Sequence, residues 1–189
     1  MKTSRDELLR IGEEIVCRQG LAGLSFGEVA QRAGIRKASV HHHFASKAIF
    51  AAALVSRLAE LAEADLSDAE ADHRRGYLAL KTLLRERRDQ IDDGHALDPL
   101  TALAAGADAL DDATRAALGH ARELVLRRIA SILQAGRRDR TISVAGDIEE
   151  EARAVLAQIE GAELAARAAG DGAMFDRTIA TLEKRMAAH

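Results

Sequence analysis

The chain has 189 residues, 27 Lys or Arg against 30 Asp or Glu, a formal net charge of −3 with histidine neutral, and 48% hydrophobic residues. That length holds one large or two small domains, and a single proline with little strand-like alternation points to an all-helical protein. No run of about 18 apolar residues occurs, Met1-Lys2-Thr3-Ser4-Arg5-Asp6-Glu7 is no signal peptide, and the lone Cys17 excludes an internal disulfide framework, so a cytoplasmic protein with no membrane association is expected.

The first predicted helix runs from Thr3 to Gln19, with Leu8, Gly12, Ile15, Val16 and Gln19 on or near one face and Gly20 as its stop. Cys17 reads as an inert small residue there, because no second cysteine or histidine is placed to activate it. Leu24-Ser25-Phe26-Gly27-Glu28-Val29 then starts a second helix. Ser25 and Glu28 form a capping box, and Leu24 and Val29 are placed to staple it. Ala30, Gly34 and Val40 follow at the spacing of a helix-turn-helix: a small residue at the crossing, a left-handed glycine in the turn, and an apolar residue in the next helix.

That third helix, about Lys37 to His43, places Val40 and Phe44 on one side and His42 nearly opposite, with Ala38 beside it and Ser39 and His41 on the flanks. Its start carries Arg36 and Lys37, and Lys47 stands just after Ser46, the predicted N-cap of the fourth helix. Cations at the positive end of a helix dipole are each unfavourable by about 0.3 to 1 kcal/mol unless an anion lies there, and backbone phosphate is the natural anion. His41, His42 and His43 diverge by about 100° per residue and cannot converge on one metal ion. No metal or cofactor is expected.

From Ser46 a longer helix runs to about Leu66, with Phe50, Leu54, Leu58 and Leu61 as its buried stripe, and Asp65 to Asp72 reads as a polar connection. Arg74 to Ile91 is helical with Tyr77, Leu80 and Leu84 inward, until Asp92-Asp93-Gly94-His95 breaks it. Asp98-Pro99 opens a short helix to about Ala107. Asp111 or Asp112 opens the next, whose face of Leu118, Ala121, Val125, Ile129 and Leu133 ends at Gly136, and Arg137 to Gly146 is a charged loop. Asp147 to Ala169 and Ala173 to Met186 form the last pair, joined at Gly170-Asp171-Gly172. One shows Ile148, Ala152, Val155, Ile159, Ala162 and Ala166, with Gly161 and Ala165 permitting close approach; the other shows Phe175, Ile179, Leu182 and Met186. This pair fits either a hairpin within one chain or half of an intermolecular four-helix bundle.

Residues 1 to 50 contain eight Lys or Arg and five Asp or Glu, net +3, and the remainder is net −6, so the N-terminal third is the part suited to a polyanion. From about Arg5 to Leu54, most closely in Gly34-Ile35-Arg36-Lys37-Ala38-Ser39-Val40-His41-His42-His43-Phe44-Ala45-Ser46-Lys47, the chain resembles the DNA-binding domain of TetR/AcrR transcriptional repressors. The family pattern usually has Ser where this chain has Arg36, Tyr at His41 and Pro at Ala45. The resemblance implies that Lys37, Ser39, His41, His42 and Lys47 lie at DNA-contacting positions. The Arg36 cation adds a further DNA-binding candidate. Extended more weakly over the whole chain, the resemblance also implies a homodimer through about 147 to 186, with Ile159 in its seam.

No Gly-rich phosphate loop, His-Glu-x-x-His, paired cysteines or readable Ser/His/Asp set supports an enzyme. The expectation is an all-α homodimer: a three-helix helix-turn-helix DNA-binding domain at 1 to 47, then a larger helical ligand-binding and dimerisation domain at 48 to 189. Its function would be ligand-responsive repression at a palindromic double-stranded operator, released by an unidentified small-molecule inducer. Tyr77 and His95 are the distinctive side chains offered for that ligand, each also read as structural. The alternative is a helical sensor or interaction module whose helix-turn-helix is only structural.

Overall fold

A computed structural model describes residues 4–71 and 75–188. Among them the chain forms nine α-helices: α1 Arg5–Gly23, α2 Phe26–Ala33, α3 Lys37–His43, α4 Lys47–Ala71, α5 Gly76–Gln90, α6 Pro99–Ala105, α7 Asp112–Arg138, α8 Ile148–Ala169 and α9 Ala173–Met186. Short 3-10 turns lie at Asp92–Gly94 and Ala107–Ala109. No described helix is long and apolar enough to cross a membrane. The all-helical expectation is met, and the predicted spans of α2, α3, α8 and α9 are found within a residue of where composition and caps placed them.

The chain divides into two compact units, Met1–Glu60 with Pro99–Ala121, and Leu61–Asp98 with Arg122–His189. In the first, α1 packs against α2 and α6, and α2 against α3. Its core is aromatic: Phe50 stands 4.4 Å from Phe44 and 6.2 Å from Phe26, centroid to centroid. Gly12 lets α1 lie on that cluster, since a Cβ there would come within 2.3 Å of the Phe50 ring. Gly20, at φ 68°, stops the regular helix as expected, and Leu21 to Gly23 add one more turn. Cys17 is a half-buried thiol.

The second unit rests on the α8–α9 hairpin, closed by Gly170 in the left-handed conformation. Ile148, Ala152, Val155, Ile159, Ala162 and Ala166 of α8 and Phe175, Ile179, Leu182 and Met186 of α9 are all buried within a single chain. Ile159 is therefore core rather than seam. Beside them Arg87 of α5 is buried with two carboxylates, ion-paired to Asp98 and 3.7 Å from Glu163. Burial alone would lower the guanidinium pKa, but Asp98 and Glu163 outweigh it and hold Arg87 above its ordinary value.

Four readings change. The connection expected from Asp65 is helical through Ala71, because Leu66 still anchors it to the core while its other residues form a solvated polar face; Asp72 lies outside the described residues. Leu61 is 45% exposed, and Ala62 takes the inward position, as a 3.6-residue repeat requires after Leu58. Gly136 does not end its helix, which continues to Arg138. Its missing side chain leaves room for Ile142, while Gly76, whose own Cβ would lie 2.1 Å from the Gly136 nitrogen, lets the start of α5 meet the end of α7 backbone to backbone. The short helix from Pro99 stops at Ala105, two residues early, where a 3-10 turn follows. The predicted starts at Thr3 and Arg74 lie outside the described residues.

Candidate nucleic-acid interface

Local chemistry positions the helix-turn-helix. The Ser25 hydroxyl accepts from the Glu28 N–H at 3.2 Å and fixes the start of α2. The Glu28 carboxylate, expected to reach back to Ser25, instead takes the Arg32 Nε–H at 2.7 Å. Gly34 ends α2 at φ 66°, and the Ile35 N–H returns to the Ala30 carbonyl at 3.0 Å, which turns the chain into α3. Val40 and Phe44, both fully buried, press α3 onto the aromatic core.

Packing of that side leaves Arg36, Lys37, Ala38, Ser39, His41 and His42 exposed, while His43 is half-buried at the edge. His41 is exposed yet braced, its ring edge-on to Phe26 at 4.6 Å. Among the described residues no group of three or more His, Cys, Asp or Glu could hold a metal ion.

Arg36 occupies the N-cap position of α3 without a side-chain cap, and no acidic residue stands in its first turn. Ser46 caps α4 as expected, accepting from the Ile49 N–H at 3.2 Å, and Lys47 is the exposed first residue of a helix that also lacks a first-turn acid. The candidates Arg36, Lys37, Ser39, His41, His42 and Lys47 thus fall in one exposed stretch of the first unit. One further cation joins this end of α3 from a distant part of the sequence: the Arg5 guanidinium lies 5.0 Å over the Phe44 ring. Nothing local in the sequence announces that contact.

The family model of bacterial regulatory proteins of the tetR family matches residues 8–54, the stretch built above. A TetR-family transcriptional regulator from Agrobacterium tumefaciens is similar over 97% of both chains, with a TM-score of 0.86 at 26% identity. The chain carries a TetR-family helix-turn-helix domain. It is also 24% identical over 174 residues to the HTH-type transcriptional repressor NemR of Escherichia coli (strain K12), covering 87% of this chain and 84% of that one. A fold neighbour from Saccharomonospora viridis, a regulator in complex with choline, has a TM-score of 0.71 at 18% identity over 98% of both chains. The family is one of regulators and not of enzymes.

Two cavities open among the described residues of the second unit. One of about 360 Å³ has Leu126, Ala130, Ile148 and Ala152 among its lining and Glu123, Arg127, Glu149 and Arg153 as its charged groups along with Glu70. The other, of about 430 Å³, lies among α4, α5 and α7, where Arg128 spans Asp65 at 3.3 Å and Glu86 at 2.9 Å. Neither Tyr77 nor His95 lines either cavity. Tyr77 is half-buried on α5, where burial and then the Glu183 charge raise its phenol pKa. The exposed His95 gives its backbone carbonyl to Arg167.

Proposed function

We propose that this regulator represses transcription by binding a palindromic operator as a homodimer and leaves it when a small-molecule inducer binds. In this reading residues 1–47 are the DNA-binding domain and 48–189 the regulatory and dimerisation domain. The observation that carries it is the exposed stretch from Arg36 to Lys47, whose cations stand at two successive helix starts with no acid in either first turn. Lys47 on α4 then meets phosphate, and His42, with Ser39 and His41 beside it, faces the base edges.

Dimerisation is supported by what α8 leaves uncovered. Ala154, Ala157, Gly161, Leu164 and Ala168 are all exposed, at alternating spacings of three and four along one face, and a Cβ on Gly161 would meet nothing within 4 Å. This is the face, distinct from the buried Ile159 row, on which a second copy would sit. One helix-turn-helix buries too little surface for tight specific binding alone. The two cavities of the second unit are of the size that holds small ligands. Among the described residues their linings contain no aromatic ring to face a quaternary ammonium, so choline itself is not the inducer proposed.

The test is competition binding over a salt series, with operator obtained by genomic selection. Lys47→Ala should weaken operator and unrelated DNA by a similar factor and reduce the salt slope by about 1 for each phosphate no longer neutralised, hence about 2 for a dimer. His42→Ala, at a pH where imidazole is neutral, should cost about 1 to 3 kcal/mol per base contact on operator alone with little change in slope. Failure of the unaltered protein to retain any DNA would leave only the alternative of a helical sensor or interaction module.

A further inference from the structure

We propose that Arg5, the first residue of α1, is a third phosphate anchor of this interface, held in place by the ring of Phe44. The inference rests on the DNA-binding reading above and adds to it a residue from outside the helix-turn-helix.

The platform is rigid. Phe44 is fully buried, closes α3 as its C-cap, and packs on Phe50 with centroids 4.4 Å apart. A guanidinium 5.0 Å above such a ring is attracted through its flat face. That contact makes no hydrogen bond to a carboxylate or carbonyl, so the N–H groups turned away from the ring stay available to phosphate oxygens.

The cation has no other evident task. Arg10 pairs with Glu14, Arg32 with Glu28, and Arg57 with Glu13 at 3.7 Å, but among the described residues no carboxylate lies within ion-pair distance of Arg5. Nor does Arg5 serve its own helix. The start of α1 is already satisfied by the Ser4 hydroxyl, which accepts from Glu7 N–H at 3.1 Å, and by the first-turn acids Asp6 and Glu7, so a cation there works against the dipole.

Its location fits the proposed use. Only Ala45 and Ser46 separate Phe44 from Lys47, so the ring that holds Arg5 ends the helix whose other end carries Lys37 and leads directly to the second anchor. Arg5, Lys37 and Lys47 are the first helical residues of α1, α3 and α4. Phosphate contacts of this kind fix orientation on the duplex and carry no base information.

The experiment compares the full-length protein with Arg5→Gln and Arg5→Lys in binding to selected operator and to unrelated duplex between 50 and 200 mM salt. Gln keeps an aliphatic stem over Phe44 and removes the charge; Lys keeps the charge. Arg5→Gln should flatten the salt slope by about 2 for a dimer, so that its deficit against the unaltered protein is roughly tenfold larger at 50 mM than at 200 mM, equally on both DNAs. Arg5→Lys should keep the slope. Helicity and melting temperature are measured alongside, and an Arg5→Gln protein with unaltered melting and unaltered slope overturns the proposal, leaving Arg5 as a cover for the ring. If Arg5→Gln melts early, Phe44→Leu decides instead. That variant keeps the Arg5 charge and removes its platform, and it should weaken binding several-fold on both DNAs; undiminished binding refutes the anchor. No retained DNA with the unaltered protein overturns this proposal and the repressor reading together, whereas a normal unaltered protein with an indifferent Arg5→Gln overturns this one alone.

Discussion

The exposed stretch from Arg36 to Lys47 and the exposed face of α8 are built on opposite plans. In the first, helices begin with cations and no acid, and the outward side chains, Ala38 and Ala45 apart, are polar or basic. In the second, Asp147 caps the helix, accepting from Glu150 N–H at 2.9 Å, Glu149, Glu150 and Glu151 fill its first turn, and the outward stripe is Ala, Gly and Leu. Even α5, whose own N-cap Arg75 offers no side-chain bond, receives an acid from elsewhere: Asp139 accepts from Gly76 N–H at 2.8 Å. Where helices obey the dipole rule, their starts are complete within the chain. Where they breach it, the missing anion has to come from outside.

The largest effect that bears on this contrast is on assembly. Leu164 is 47% exposed in one chain, so Leu164→Asp should leave melting nearly unchanged while weakening self-association on the order of a hundredfold, because two unpaired charges would enter the seam. Sedimentation velocity decides it, and an intact dimer would move the seam off this face. Ile159→Asp, by contrast, should unfold the second unit itself.

Next comes Lys47→Glu, which sets folding against binding. It should stabilise the protein by about 0.3 to 1 kcal/mol in urea melts, since it corrects the dipole. Operator affinity at low salt should fall on the order of tenfold to a hundredfold. Loss of stability instead would mean that Lys47 serves the fold.

The mirror change is Asp147→Ala on α8, expected to cost about 1 kcal/mol of stability with no effect on the salt slope of DNA binding.

The smallest effect concerns Asp139, whose carboxyl is held below its usual range chiefly by the Thr141 hydroxyl, and also by the Gly76 and Thr141 N–H groups. A depressed folded-state pKa gives stability that is present above the unfolded value near 4 and is lost as pH falls through the folded one. Asp139→Asn should therefore lower stability at pH 7 and flatten the acid limb below about pH 4, as followed by circular dichroism.

Most of the fold was legible because its helices start with capping residues or proline and end with glycine, and Ser25, Gly34, Ser46, Pro99, Asp147 and Gly170 each act as those signals promise. What could not be read was context. Gly136 has the composition of a stop but instead makes room for the Ile142 side chain, and only that packing tells the two apart. The polar end of α4 looks like a loop because, past Ala62, Leu66 is its one buried residue. The residues proposed to face DNA were visible because they lie close together in the sequence. Arg5 was not, because the ring that holds it is thirty-nine positions away and no periodicity spans that gap.

Buried Arg87, shared between Asp98 and Glu163, also constrains how this sequence can drift over generations. Removing Arg87 strands two carboxylates in the interior, at a cost of about 3 to 5 kcal/mol, and removing one carboxylate leaves an ion pair that no further single change dismantles without stranding a charge, whereas exchanging the whole set for well-packed apolar residues is often neutral or better. Every route of single replacements between the two versions of this core therefore passes through an ancestor with an unpaired buried charge. The trio should thus be inherited as a block, kept less by the strength of the arrangement than by the absence of a passable exit.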